Sequence, residues 1–207
     1  PYGRNFLGTP PENCADYAFI QHIIASMDKK TGRSTSLLPH GVLNRDAEAG
    51  LRIELIKRDL VEAVIGLGRN LFYNSGLESC VLVCRSQKDE AHRGKVLFIE
   101  AEHDTHKVGK QAYLFPEDIA KILNAYRSKD DISGFSAWIA NDKILENNGN
   151  LNIKTYVKAA QEESISLLNV VKEYVADQKS FVDALSSLPF CADKELPEKQ
   201  ADFVIPV

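Results

Sequence analysis

Helical and extended periodicities alternate along most of this chain, and that alternation restricts the fold more than any single motif does. From Asp16 to about Lys29, Phe19, Ile20, Ile23, Ile24 and Met27 recur at three- and four-residue steps, the spacing of an amphipathic helix. Gly32 follows as the expected left-handed stop. Ser34 to Leu38 reads as a short buried strand ended by Pro39, with a loop beyond it. Asp46 and Glu48 form an acidic first turn ahead of a second helix through Leu51, Ile53, Leu55 and Ile56, and Leu60 to Leu67 supplies a β-branched strand. Ser79 to Arg85 and Lys95 to Glu100 read as two further strands, joined by a hairpin or an open connection over Ser86 to Gly94. Pro116-Glu117-Asp118 opens another helix, proline being well placed in a first turn. Helix and strand in this order predict an α/β protein with a Rossmann-like sheet, parallel-type units first and a strand pair at one edge.

Farther on the pattern changes. Phe135 to Tyr156 is rich in turns, with Asn147-Asn148-Gly149-Asn150 at its centre, and is expected to form a small linker-like segment packed on the domain. From Ser164, Leu168, Val171, Val175, Val182 and Leu185 fall at alternating four- and three-residue steps with Gln178 taking the one polar slot between Val175 and Val182, a helical seam that docks on its own domain or on a partner helix. The expected domains are therefore 1–128, 129–160, 161–190 and a proline-punctuated, loosely held tail over 191–207.

Charge and composition exclude several classes. With 207 residues, 44% of them hydrophobic and 26% charged, the chain suits a soluble globular protein. No run approaches the ~18 apolar residues of a membrane span, and Pro1-Tyr2-Gly3-Arg4-Asn5 resembles no targeting peptide, so a cytoplasmic location is expected. A net charge of -4 argues against a free-standing nucleic-acid binder. The basic groups Lys29, Lys30 and Arg33, and Arg52, Lys57 and Arg58 on the second helix, read as solvated helix ends. Cys14, Cys80, Cys84 and Cys191 lack a CxxC spacing and read as reduced thiols; Cys80 and Cys84 would share one strand face. His103 and His106 read as solvated residues on a polar loop, and no metal is expected.

Pro1-Tyr2-Gly3 read alone is only a turn, but several spaced blocks give it a context. These are Ala18-Phe19-Ile20-Gln21-His22, Leu38-Pro39-His40-Gly41-Val42-Leu43, Val64-Ile65-Gly66-Leu67, Asn70-Leu71-Phe72-Tyr73-Asn74-Ser75-Gly76, Gly94-Lys95-Val96-Leu97-Phe98-Ile99, and Asn150-Leu151-Asn152-Ile153 with Tyr156-Val157. On these blocks, Pro1 to about Val157 resembles the C-terminal half of the modification (methyltransferase) subunit of type I restriction-modification systems, the N-6 adenine-specific DNA methylases. The resemblance implies the C-terminal half of a class I S-adenosylmethionine-dependent methyltransferase sheet. It also implies methyl transfer to the exocyclic amine of an adenine flipped out of duplex DNA.

Such enzymes use an Asn/Asp-Pro-Pro-Tyr/Phe loop, whose amide and carbonyl acceptors raise electron density on the amine while the aromatic ring stacks on the base. Pro1 and Tyr2 match its last two positions, which makes them the catalytic candidates and Tyr2 a stacking platform. Phe72, or its neighbour Tyr73, matches an aromatic that faces the base from the other side. Phe19 matches a residue packing on the cofactor's adenine, or is simply the leading core residue of its helix. The glycine-rich S-adenosylmethionine loop belongs upstream of Pro1 in this family. Gly66-Leu67-Gly68 mimics a dinucleotide fingerprint but lacks the third glycine and a following helix.

The resemblance further implies a hetero-oligomer with DNA, a specificity subunit that reads the bases, and in some systems a restriction subunit. The seam from Leu168 to Leu185 is then the candidate contact with the specificity subunit. A second reading is a catalytically silent assembly module that only docks the specificity subunit. A third is a methyltransferase of the same sheet acting on RNA or protein amines, which would not need the blocks from Phe72 to Gly76 and Asn150 to Val157.

Overall fold

The computed structural model describes residues 3, 5–73, 75–128 and 130–157. Their centre is β2 (Val61–Leu67), in which every residue is buried. A strand with both faces covered needs a neighbour along each side and a layer above and below. β3 (Ser79–Arg85) lies antiparallel on one side and β4 (Lys95–Ala101) parallel on the other. β1 (Arg33–Pro39) pairs antiparallel with the far side of β3, and β7 (Ser136–Ala140) antiparallel with the far side of β4, giving the order β1-β3-β2-β4-β7.

This topology corrects the expected strand pair. β3 is inserted between β1 and β2, and β2 separates it from β4, so Ser86 to Gly94 is a crossing connection and not a hairpin. Val81 and Leu82 each face a β1 residue on one side and a β2 residue on the other, which a hairpin with β4 would not allow. β1 is likewise not a fully buried strand. Its residues alternate between exposed and half-buried, Leu37 is 51% exposed, and its second side has no partner among the described residues.

Side chains alternate between two cores, as the period of two demands. Val64, Cys80, Leu82, Cys84, Val96 and Phe98 face one layer, which contains α1 (Asp16–Ser26), α2 (Ala49–Lys57), α4 (Asn141–Glu146) and α5 (Ile153–Tyr156). Ala63, Ile65, Leu67, Val83, Leu97 and Ile99 face the other, closed by Ala125 and Ile122 of α3 (Pro116–Arg127) and by Phe135. Cys80 and Cys84 do share a face, and burial pushes both thiols up to about 12.

Four local expectations are revised. Gly32 is not left-handed; a Cβ there would sit 2.3 Å from the Asp28 carbonyl, so close approach, not φ, requires glycine. The turn before it is closed by the Asp28 carboxylate, which accepts from the amides of Lys30 and Thr31. Arg52 is no solvated decoration: it is 2% exposed, and its guanidinium donates to the carbonyls of Gly149 and Val42. The stretch expected to be a polar loop holds a small hairpin, β5 (His106–Val108) and β6 (Gln111–Tyr113), turned by Gly109-Lys110. Finally, 129–160, expected as a linker-like segment, supplies β7 to the sheet and α4 and α5 to a core. The helical seam from Leu168 to Leu185 and the tail after it lie outside the described residues.

Candidate active site

β1, β2 and β4 run in the same direction, because β1 and β2 are both antiparallel to β3. Their carboxyl ends therefore share one edge of the sheet, the edge where α/β proteins place their chemistry. Three segments leave it: His40 to Leu43 after β1, residues 68–78 after β2, and residues 102–105 after β4.

The segment after β2 carries Phe72, 37% exposed, and Tyr73, 80% exposed. Neither ring is needed to fill a core, so the loop presents two aromatic faces to its surroundings. Gly68 starts it in a place no side chain could occupy, since a Cβ there would meet the Glu102 carbonyl at 2.6 Å. A Cβ on Gly66 would press on Ile153 of α5 at 2.8 Å. Both glycines are thus explained by packing, and no dinucleotide fingerprint is required.

Beside the loop base lies a cleft of about 360 Å³ lined in part by Arg69, Asn70, Glu78, Glu102, Lys107 and Lys154. Arg69 Nε donates to Glu78 Oε1 at 2.7 Å, and Lys154 Nζ lies 2.6 Å from Glu102 Oε2. The Arg69 hydrogen bond holds the Glu78 carboxyl below its ordinary range, and the Glu102 hydrogen bond holds the Lys154 ammonium above its own. Burial raises Glu100, whose Oε1 accepts from the Glu102 amide. His40 Nε2 stands 3.7 Å from Glu102 Oε1, and each of these buried atoms lacks a hydrogen-bond partner.

Phe19 is 66% exposed. α1 buries Tyr17, Ile20, Gln21 and Ile24 instead, so the reading of Phe19 as a core residue is withdrawn. Tyr17 reaches the loop after β1, its hydroxyl donating to the Val42 carbonyl at 3.0 Å. Phe72 and Tyr73 stand together on one loop, while Phe19 stands on α1 before β1.

Pro1 and Tyr2 lie outside the described residues. Gly3 lines a cleft with Phe6, Ile24, Met27, Leu60 and Ser86, at the end of the sheet where β2 begins and β3 finishes, opposite the strand ends that carry the aromatic loop. The next stretch is fastened there: Arg58 Nη2 donates to the Phe6 carbonyl, and Leu7 donates its amide to Gln21.

Sequence reasoning singled out the aromatics but passed over Arg69 and Glu78, which pair with each other, and Gln111, whose side chain donates to the Asn70 carbonyl. A signal was present, since opposite charges at 69 and 78 bracket an aromatic stretch. His106 is not merely solvated: its ring stacks on Phe115 at 4.2 Å and its Nε2 lies 3.1 Å from Asp118. Among the described residues no cluster is arranged to hold a metal ion, and no helix is long and apolar enough to cross a membrane.

A mixed sheet with helices on both faces and an aromatic loop at its carboxyl edge makes the described residues an α/β protein. The N-6 DNA methylase family matches residues 2–164, and the chain belongs to it. A type I restriction enzyme methylase subunit of Methanocaldococcus jannaschii, named MjaVII, is 34% identical over 186 residues, covering 87% of this chain and 32% of that protein. The crystal structure of a type I restriction-modification methyltransferase subunit from Streptococcus thermophilus matches with a TM-score of 0.69 and 35% identity, over 74% of this chain and 32% of that one. The M protein of the type I restriction enzyme EcoKI shares the fold, with a TM-score of 0.58 at 16% identity, over 86% and 44% of the two chains. The chain thus spans about a third of the length of the curated relatives it matches.

Proposed function

We propose that this chain is the C-terminal part of a DNA adenine-N6 methyltransferase, the modification subunit of a type I restriction-modification system. Family membership and 34% identity to a methylase subunit support the reaction class. The single observation that carries the site is the exposed pair Phe72 and Tyr73 at the carboxyl edge of the sheet. An adenine amine can be methylated only once it has left the duplex, and an extruded base needs apolar faces to replace its lost stacking. Phe72 or Tyr73 supplies one face, and Tyr2, as the end of the catalytic loop, supplies the other. Gly3 lies at the opposite end of the sheet, so this pairing requires Gly3 to lie elsewhere in the whole protein.

When bound, S-adenosylmethionine supplies the electrophilic methyl group. The residues present fit it in one respect: Phe19 offers a ring free of core contacts, the kind of surface that packs on an adenine. The partners in this reading are DNA and a specificity subunit, the latter engaged by 161–190, with a restriction subunit completing the assembly in some systems. The blocks from Phe72 to Gly76 and from Asn150 to Val157 favour this reading over a methyltransferase of the same sheet acting on RNA or protein amines. The test is to incubate the full-length subunit and its specificity partner with tritiated S-adenosylmethionine and unmodified genomic DNA, then digest the DNA to nucleosides. Label in N6-methyl-2′-deoxyadenosine is expected; label elsewhere, or in added RNA or protein only, would overturn the assignment.

A further inference from the structure

The β5–β6 hairpin has little reason to exist for stability. β5 is exposed throughout, Val108 is 62% exposed, and within β6 only Ala112 is buried. Its contacts nevertheless converge on one point. The Gln111 side chain donates to the Asn70 carbonyl at 2.7 Å, and the Ala112 amide donates to the same oxygen at 2.8 Å. Asn70 has φ 58°, a left-handed conformation that non-glycine residues seldom adopt, and it is the residue from which the aromatic loop departs. Two donors on one carbonyl fix the plane of the peptide that follows it, and hence the direction in which Leu71, Phe72 and Tyr73 set out.

The hairpin is itself anchored. His106 stacks on Phe115 and approaches Asp118, which also accepts from the Phe115 amide at 2.7 Å and so closes the first turn of α3. A continuous set of contacts therefore runs from a sheet-packed helix to the loop base. Across the mouth of the loop, Arg69 and Glu78 tie its two ends at 2.7 Å. Arg69 is 69% exposed along its side chain, and an ion pair so accessible to water adds little to global stability.

We propose that Gln111 and the Arg69–Glu78 pair are positioning residues for methyl transfer: they hold the aromatic loop at the angle at which its rings meet the extruded base. The inference rests on the base-stacking reading above. The rings hold the base whose amine must meet the methyl donor, and misplacing a reacting group by about 1 Å costs on the order of a hundredfold in rate. A loop of exposed side chains cannot supply that precision by its own packing, so it comes from the base.

The test uses the intact native enzyme carrying Gln111→Ala, Arg69→Ala, the two together, Arg69→Lys, and, separately, Phe72→Ala with Tyr73→Ala. Single-turnover methyl transfer to unmodified genomic DNA, S-adenosylmethionine affinity, thermal midpoint and amide exchange over 71–77 are measured for each. The double brace variant is expected to transfer roughly ten- to a hundredfold more slowly, with faster exchange at the Ser75 amide and with cofactor affinity and midpoint unchanged. Arg69→Lys is expected to recover part of the rate. Wild-type rate and exchange in the brace variants, with slow transfer in the aromatic ones, would overturn the brace alone. Wild-type rate in the aromatic variants would overturn the base-stacking reading. A midpoint that falls in step with the rate would make the role structural and overturn the positioning claim.

Discussion

Arg52 Nε donates to the carbonyl of Gly149 at 2.9 Å, joining α2 to a turn that lies 97 residues further along the chain. The same guanidinium reaches Val42 O at 3.3 Å, an oxygen that also accepts from Tyr17. One buried cation thus ties α1, α2, the loop after β1 and the turn before α5. Removing it strands the buried Gly149 carbonyl, at about 1–3 kcal/mol, and leaves Val42 O with Tyr17 as its remaining side-chain donor. Arg52→Ala should therefore destabilise the protein by about 1–3 kcal/mol, read as a lower urea midpoint with an unchanged slope. No measurable effect would show that water satisfies the Gly149 carbonyl.

Two glycines make a matched pair. A Cβ on Gly68 collides with backbone at 2.6 Å, whereas one on Gly50, exposed in α2, meets nothing within 4 Å. Gly68→Ala should cost about 1–3 kcal/mol because the Glu102 backbone or the loop must move. Gly50→Ala should stabilise by about 0.5–1 kcal/mol through helix propensity. Thermal unfolding of the two variants checks both signs.

Much of this architecture can be read from sequence. The buried run Val61–Leu67 and the periodic α1 announce themselves, because a strand covered on both faces is apolar wherever no partner meets it, Glu62 being paired with Arg85 and Arg33, and a surface helix must repeat at three and four. The insertion of β3 between β1 and β2 could not be read, since strand order depends on which edges are free and not on local pattern. β5–β6 escaped because its residues are polar and its strands short, so no alternation marks them. Arg52 was misread for a related reason: a cation on a helix looks solvated until a distant turn supplies carbonyls for it. At the site, the aromatic loop was legible from Phe72 and Tyr73, while the atoms that hold it, Gln111 and Asn70, meet only through tertiary structure.

Protonation of Glu48 gives a pH dependence of known sign. Burial raises its pKa, with Arg45 opposing, and its Oε1 has no partner. A carboxyl raised in the folded state contributes stability that is present below its unfolded pKa and lost as pH climbs through the folded one. Glu48→Gln removes that loss. The stability of the variant relative to wild type should therefore rise between about pH 4 and pH 7, as measured by urea midpoints at both values. A constant difference would contradict the assignment.

Thiol chemistry should divide the cysteines. Cys80 and Cys84 are buried with pKa values pushed up to about 12, while Cys14 is half-buried. Alkylation near pH 8, resolved by peptide mass, should modify Cys14 well before Cys80 or Cys84, which become reactive only on unfolding. Early labelling of either strand cysteine would contradict the packing of β3.

The central claim is that the loop after β2 stacks on an extruded adenine, and single-turnover methyl transfer by the whole enzyme carrying Phe72→Ala and Tyr73→Ala tests it most directly. Base–aromatic stacking is worth about 1–3 kcal/mol, so the rate should fall roughly 5- to 150-fold, and an aromatic replacement, Phe72→Tyr, should retain most of it. A double variant that transfers methyl groups at the wild-type rate would contradict the account.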